Sequence, residues 1–201
     1  MKNYLPPKEI FEHLYRVVGS ERFLQKKGLG NEVPFFICPF APEHNIEMDQ
    51  VRQQLVNQLK NDGVTALDVN LYDLSMSLLR ERGIWNRIIN LEQSTTKSEL
   101  LDLLRNVLDP EAHIVPAIAD LINQNRQHDV MFLSGVGEVY PYIRSHTILN
   151  NLQSTANSKP TVMFFPGTYT HSLEAGASLD LFGRLQDDKY YRAFNILHYN
   201  V

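Results

Sequence analysis

Two continuous apolar runs constrain the fold of this chain more than any other feature of its sequence. Residues 129–134 and 160–165 lack the polar alternation of a half-exposed strand, which is typical of strands covered on both faces. Residues 33–40 form a third apolar run despite two prolines, and residues 64–71 alternate apolar with polar side chains. We predict a strand from each run, and a last strand at the sheet edge within residues 190–199.

Amphipathic helices are predicted between these strands. Apolar residues recur at helical spacing in six segments, around residues 7–18, 48–59, 74–79, 100–108, 114–122 and 142–152. Thr96 to Glu99 forms a capping box, and Asp109-Pro110 supplies an N-cap and a first-turn proline. Strands that alternate with helices indicate right-handed βαβ units. The sequence therefore predicts an α/β fold: a mostly parallel sheet of about four to five strands covered by helices, Rossmann-like and three-layered, with a helical insertion between about residues 74 and 127.

The run from Phe132 to Glu138 ends the clearest predicted strand in a glycine turn that opens a helix. An α/β protein usually binds its ligand at such a point, where the carboxyl end of a strand faces a helix amino terminus. However, no lysine followed by serine or threonine comes after Gly137, and Glu138 satisfies the helix dipole itself and repels phosphate. The turn itself supplies no cation, and two interpretations stay open: Gly135 and Gly137 only make a tight turn, or they border a binding crevice of unusual polarity.

The candidate crevice lies between this turn and a second predicted turn at Pro166-Gly167. Its candidate binding residues are Gly135, Gly137, Glu138, Tyr140, Arg144, His146, Gly167 and Tyr169. In a helix that begins at Pro141, Arg144 lies one turn on and can hold a carboxylate or phosphate with two hydrogen bonds. Alternatively, Arg144 forms an internal ion pair with Glu138 or another acid and fixes the loop.

The carboxyl-terminal segment supplies candidate docking residues for a partner protein. They are Arg184, Asp187, Asp188, Tyr190, Tyr191 and Arg192. Aromatic side chains and arginine are enriched in protein interfaces, although they also pack along ordinary edge strands. Asp187 and Asp188 could ligate magnesium, but neighbouring side chains on an extended chain point to opposite faces. Bonds to local amides in a turn are the favoured interpretation for these two aspartates.

Composition and the remaining motifs exclude several function classes. The formal net charge of −4 argues against a protein that coats nucleic acid, so no direct nucleic acid binding is expected. The seven histidines make no i, i+4 pair, no nucleophile elbow surrounds Ser134, and Cys38 is the only thiol. We therefore expect no enzyme activity, no metal, no cofactor and no membrane span, and a single domain over residues 1–201 in the cytoplasm.

Four sequence strings occur together in this chain: GLGNEVPF at 28–35, FLSGVGEVYPYIRSH at 132–146, MFFPGTY at 163–169, and LFGRL with DDKYYRAFN within 181–195. In this order they resemble the BrxB family of bacterial BREX phage-defence systems over nearly the full chain. The resemblance implies a small component of a multi-protein system that marks host DNA by adenine methylation and blocks replication of unmarked phage DNA. It implies as partners other BREX proteins, which include a large ATPase, a methyltransferase and a PglZ-type protein of the alkaline-phosphatase superfamily. It carries over no reaction and no catalytic residues.

Two functional hypotheses follow from the residues and the resemblance. The first is a non-catalytic assembly module that docks another BREX component, with the PglZ-type protein as the favoured partner. Under this hypothesis, Tyr191→Ala combined with Arg192→Ala abolishes co-purification of the partner. The second is a ligand-binding or hydrolytic α/β protein, in which Arg144 holds an anion in the crevice and Glu138 or Asp188 positions water or a metal.

Overall fold

A twisted sheet forms the centre of the computed structural model, which describes residues 4–27, 34–172, 176–186 and 193–201. Its described strands are β1 (Phe35–Phe40), β2 (Ala66–Asn70), β3 (Val130–Ser134), β4 (Thr161–Ser172), β5 (Gly176–Leu181), β6 (Leu185–Gln186) and β7 (Phe194–Asn195). Five of them run parallel in the order β2-β3-β4-β1-β7, and β5 and β6 extend β4 as antiparallel neighbours. The predicted mostly parallel sheet is confirmed. The antiparallel pair β5 and β6 was not predicted.

Helices cover both faces of this sheet and give three layers. On one face lie α1 (Pro7–Val18), α2 (Glu21–Leu24) and α3 (Asn45–Asn61). The other face carries α4 (Leu71–Glu81), α5 (Trp85–Glu92), α6 (Lys97–Val107), a π-helical turn (Pro110–Ile114), α7 (Val115–Gln124), α8 (Val136–Val139) and α9 (Ser145–Leu152). Short 3-10 turns occupy Pro42–His44 and Ile196–His198. Successive residues of β3 enter opposite cores, since Phe132 packs with the first group of helices and Leu133 with the second.

The helical insertion between β2 and β3 follows the signals in its sequence. The Thr96 hydroxyl accepts a hydrogen bond from the Glu99 amide, and the Glu99 carboxylate accepts one from the Thr96 amide, which completes the predicted capping box. The Asp109 carboxylate caps the next helical segment by accepting a bond from the Ala112 amide. Both helix starts are therefore confirmed, and the insertion packs over one face of the sheet.

Strand β4 corrects the predicted turn at Pro166-Gly167. The strand continues through both residues to Ser172, and Gly167 pairs with Leu181 of β5. Pro166 is the last residue of β4 in register with β1, so this dipeptide marks a change of partner strand. A Cβ on residue 167 would lie 2.2 Å from the Asp180 carbonyl oxygen, so glycine is needed for this close approach. The predicted turn was wrong because the sequence did not indicate β5, the strand with which this part of β4 pairs.

Two other predicted boundaries also differ from the structure. Helix α9 begins at Ser145 and not near residue 142, because the amides of Tyr142 and Ile143 bond back to the Val139 carbonyl and close a turn first. In the described part of the strand predicted within residues 190–199, only β7 is formed. This two-residue strand pairs with β1 and ends where the Asn195 side chain accepts a hydrogen bond from the Leu197 amide. Residues 190–192 of that predicted strand lie outside the described residues.

Candidate binding crevice

A crevice of about 510 Å³ opens at the carboxyl ends of the parallel strands. Phe40 of β1, Asn70 of β2 and Ser134 of β3 line its floor, and Pro166 of β4 lies beside them. The chain leaves β1 for α3 on one face of the sheet and leaves β3 for α8 on the other. Connections that diverge in this way leave an opening at the carboxyl edge, where α/β proteins bind ligands.

The glycine turn that follows β3 is explained by packing against β2 and α4. Gly135 has φ +75°, and a Cβ there would lie 2.4 Å from the Asn70 side-chain oxygen. That same oxygen caps α4 by accepting hydrogen bonds from the amides of Tyr72 (2.9 Å) and Asp73 (3.2 Å). Gly135 therefore makes room for a helix cap, which favours the tight-turn interpretation.

Gly137 is explained by packing on its other side. A Cβ on this residue would lie 3.1 Å from the Phe182 ring and 3.3 Å from Pro166. The side chain of Phe182, in the turn between β5 and β6, thus reaches the edge of the crevice. Both glycines have a steric role that involves no phosphate.

Of the predicted binding residues, the crevice brings together Gly135, Gly137 and Glu138. Glu138 is exposed and accepts a hydrogen bond of 3.1 Å from the Asn45 side chain, so it joins α8 to the start of α3 at the crevice mouth. Gly167 directly follows the lining residue Pro166, but it pairs with Leu181 of β5 and does not itself line the crevice.

The other predicted binding residues lie elsewhere. Arg144 is the residue before α9 and does not line the crevice, because α9 begins later than predicted. His146 is in the first turn of α9, and its ring contacts the Thr147 hydroxyl at 3.2 Å. Tyr140 is half-buried against the core. The hydroxyl of Tyr169 donates to the Ala193 carbonyl at 2.6 Å, and burial raises the pKa of Tyr169 to about 12.

Arg52 on α3 is a crevice residue that the sequence reasoning missed. Its guanidinium donates to the carboxylates of Asp49, one helical turn before it, and Asp68 on β2. Only 7% of the Arg52 side chain is exposed, and the residue lines the crevice. The glycine turn itself supplies no cation, but α3 supplies Arg52 to the crevice. The i, i+3 pair of Asp49 and Arg52 was visible in the sequence, but the proximity of Arg52 to Asp68 on β2 was not.

Negative charge nevertheless dominates this site. Burial raises the pKa of Asp68, the adjacent Arg52 lowers it, and the charges of Asp49 and Asp73 raise it further, with a net increase. Among the described lining residues, Arg52 is the only Lys or Arg, and it is already shared between two carboxylates. Such a site disfavours phosphate.

The crevice contains no catalytic arrangement within the described residues. Ser134 is its one buried hydroxyl, and no described histidine lines the crevice to act as its base. In the same part of the chain, no group of three or more His, Cys, Asp or Glu residues is placed to hold a metal ion. The Oγ of Ser134 and the Nε of Arg52 are buried and lack a hydrogen-bond partner among the described atoms.

A second, more open depression lies next to the crevice. Its lining residues are Tyr4, Pro42, Glu43, Phe182, Gly183, Arg184 and Leu185. Arg184, the first of the predicted docking residues, is exposed there. Asp187, Asp188, Tyr190, Tyr191 and Arg192 lie outside the described residues, so the predicted docking segment is described only at its start.

Fold and site together define a three-layer α/β protein with an acidic crevice at the carboxyl edge of its sheet. A family model described as BREX protein BrxB matches residues 67–196. A BREX protein BrxB of Bacillus cereus (strain H3081.97) is 38% identical over 193 residues, which cover 94% of this chain and 96% of that protein. This chain belongs to the BrxB family, as its sequence motifs predicted.

A second relative and the structural comparison complete this picture. A BREX protein BrxB of Escherichia coli O9:H4 (strain HS) is 28% identical over 180 residues, which cover 90% of this chain and 86% of that protein. No solved structure gives a significant match. No helix in the described part of the chain is long and apolar enough to cross a membrane.

Proposed function

We propose that this protein is a non-catalytic component of a BREX anti-phage defence system and that it docks another BREX protein. Membership of the BrxB family supports the role in BREX. The PglZ-type protein is the favoured partner, as the sequence resemblance implied. We expect the protein to act in the cytoplasm, where its single cysteine, Cys38, stays reduced and buried.

The observation that carries this proposal is a group of exposed apolar side chains at the crevice and in the second depression, which Phe182 and Leu185 line. They are Ile46, Tyr72, Phe182 and Leu185, which we call the carboxyl-edge surface. Ile46 and Tyr72 line the crevice, and Phe182 reaches it through its contact with Gly137. Exposed apolar side chains rimmed by charge mark protein interaction sites more often than isolated ones do. The absence of a catalytic set among the described residues supports the non-catalytic part of the proposal.

Co-purification tests the proposed function directly. Tagged protein is co-expressed with the PglZ-type protein of the same system, as wild type and as Phe182→Asp combined with Leu185→Asp. The matched control is Ile89→Asp with Val201→Asp, two exposed apolar residues away from the carboxyl-edge surface. We expect the first variant to lose the partner and the control to retain it. A folded first variant that retains the partner would rule out this surface, and a wild type that captures none would rule out this partner.

A second candidate function is the binding of a small ligand in the crevice. The unpartnered Ser134 hydroxyl and Arg52 Nε favour it, because buried polar groups normally find a partner. An anion held by Arg144 is no longer supported, since Arg144 does not line the crevice. A thermal-shift screen with nucleotides, magnesium and short DNA separates the two candidates, because a micromolar ligand raises the unfolding midpoint visibly. A shift with any of them would favour this second function.

A further inference from the structure

We propose that the crevice receives the side chain of an arginine from the partner protein. This inference rests on the proposed assembly function and states which chemical group the partner presents. It is carried by the charge, the exposed ring and the size of the crevice.

Charge complementarity is the first argument. Asp49 and Glu138 line the crevice and are both exposed, whereas Asp68 on β2 is not a lining residue and binds Arg52 with a side chain that is 28% exposed. Arg52 supplies one positive charge against these three carboxylates, and it is already bound by two of them. The crevice is left with a net negative charge that attracts a cation and repels carboxylate or phosphate.

The exposed ring of Tyr72 is the second argument. This residue lines the crevice at the first turn of α4, and 41% of it is exposed. An aromatic face beside carboxylates is the setting in which a guanidinium stacks and forms hydrogen bonds at once. Ile46, at 78% exposure, lies on the opposite wall and offers apolar contact to the methylene stem or to a neighbouring side chain.

Arginine fits this site better than lysine or a small anion does. The guanidinium is planar and weakly hydrated and has five donors, whereas an ammonium is compact and strongly hydrated. A crevice of about 510 Å³ has room for one such side chain and its immediate neighbours. The Asn45 bond to Glu138 holds one of the acceptors in place before the partner arrives.

A matched pair of small probes tests the crevice without any partner. N-acetyl-argininamide and N-acetyl-citrullinamide have nearly the same shape, but only the first carries a charge. Titrated into the full isotope-labelled chain, the arginine probe is expected to shift the amide signals of Tyr72, Gly135 and Glu138, and the citrulline probe is expected not to. The shifts should weaken in Glu138→Gln. Equal shifts from both probes, or none from either, would overturn the proposal.

The complex with the PglZ-type protein tests the same inference at full affinity. Glu138→Gln with Asp49→Asn is expected to weaken binding about tenfold and to reduce its salt dependence. The control is Glu92→Gln with Asp120→Asn, two exposed acids on the helical insertion, which should bind as wild type does. Tyr72→Leu is a second variant that removes the ring and leaves Asp49 paired with Arg52.

The two experiments separate failure of this inference from failure of the proposed function. If wild type binds the partner and the folded crevice variants bind it equally well, the arginine proposal is wrong and the assembly function stands. If wild type does not bind the partner but the arginine probe binds, the choice of partner is wrong and the crevice proposal stands. Circular dichroism and melting temperatures establish that each variant is folded.

Discussion

The two walls of the crevice are built on different principles. The wall formed by β3 and α8 is shaped by steric fit, since Gly135 and Gly137 are glycine because of what lies against them. The wall formed by α3 is shaped by charge, since Arg52 is held there between Asp49 and Asp68. The glycine turn therefore provides the outline of the crevice, and the helix opposite provides the Asp49–Arg52 ion pair. A motif in one wall says little about the chemistry of the other.

The largest predicted loss of stability comes from a substitution in the wall formed by β3 and α8. Gly135→Ala places a Cβ against the oxygen that caps α4 and in a backbone conformation that alanine adopts at a cost. We expect a loss of about 3 kcal/mol in the free energy of unfolding, measured by urea titration. Gly83→Ala is the control, because Gly83 has φ +68° but no atom within 4 Å of the new Cβ, and about 1 kcal/mol is expected. Equal losses at the two positions would show that the contact with Asn70 has no energetic weight.

The next largest loss of stability is expected from a substitution in the wall formed by α3. Arg52→Met leaves Asp68 without its cation, and we expect a loss of about 2 kcal/mol at neutral pH, less than for a fully buried pair because Asp68 is partly exposed. Arg105→Met removes an exposed i, i+3 pair with Asp102 and is expected to cost less than about 0.5 kcal/mol. Similar losses for both variants in the same urea titration would contradict the special role of Arg52.

The pH dependence of the Arg52→Met penalty sharpens this comparison. The pKa of Asp68 is already raised in the folded protein, and removal of Arg52 removes the contribution that lowers it. An acid whose folded pKa is raised stabilises the fold below its unfolded pKa and loses that contribution as the pH rises through the folded value. The penalty should therefore grow from about pH 4 towards neutrality, since the unfolded carboxyl titrates near 4. A penalty that is flat over this range would exclude Asp68 as its cause.

The smallest effect concerns Glu138, which lies at the mouth between both walls. Glu138→Gln keeps an acceptor for the Asn45 side chain on an exposed residue, so the free energy of unfolding should change by less than about 0.5 kcal/mol. The same variant is expected to weaken arginine binding. A large loss of stability in the same urea titration would contradict this prediction and show that Glu138 is a structural residue.

Local signals predicted the parts of the fold that depend on neighbouring residues in the chain. The capping box at Thr96, the N-cap at Asp109 and the buried strand β3 each follow from a few consecutive side chains. The layer order also followed, because continuous apolar runs require cover on both faces. Membership of the BrxB family was also predicted, because the four sequence motifs that carry the resemblance are runs of consecutive residues.

Two of the features that were missed depend on contacts between distant segments. Arg52 meets Asp68 only because α3 packs against β2, and no sequence spacing predicts that contact. Pro166-Gly167 carries the composition of a turn, and only the presence of β5 makes it part of a strand. The sequence places Arg144 in the crevice only if its helix begins at Pro141, whereas α9 begins at Ser145. The first two errors arose where tertiary packing overrides local preference, whereas the late start of α9 follows from a local turn closed at the Val139 carbonyl.

The change of partner within β4 has a consequence for the carboxyl-edge surface. One strand belongs both to the middle of the parallel sheet and to the hairpin that carries Phe182 and Leu185. Its register in the core fixes the register of the hairpin, so these two side chains are anchored to the interior of the protein. A partner protein that binds these two side chains contacts a preorganised surface, so the hairpin loses little conformational entropy on association.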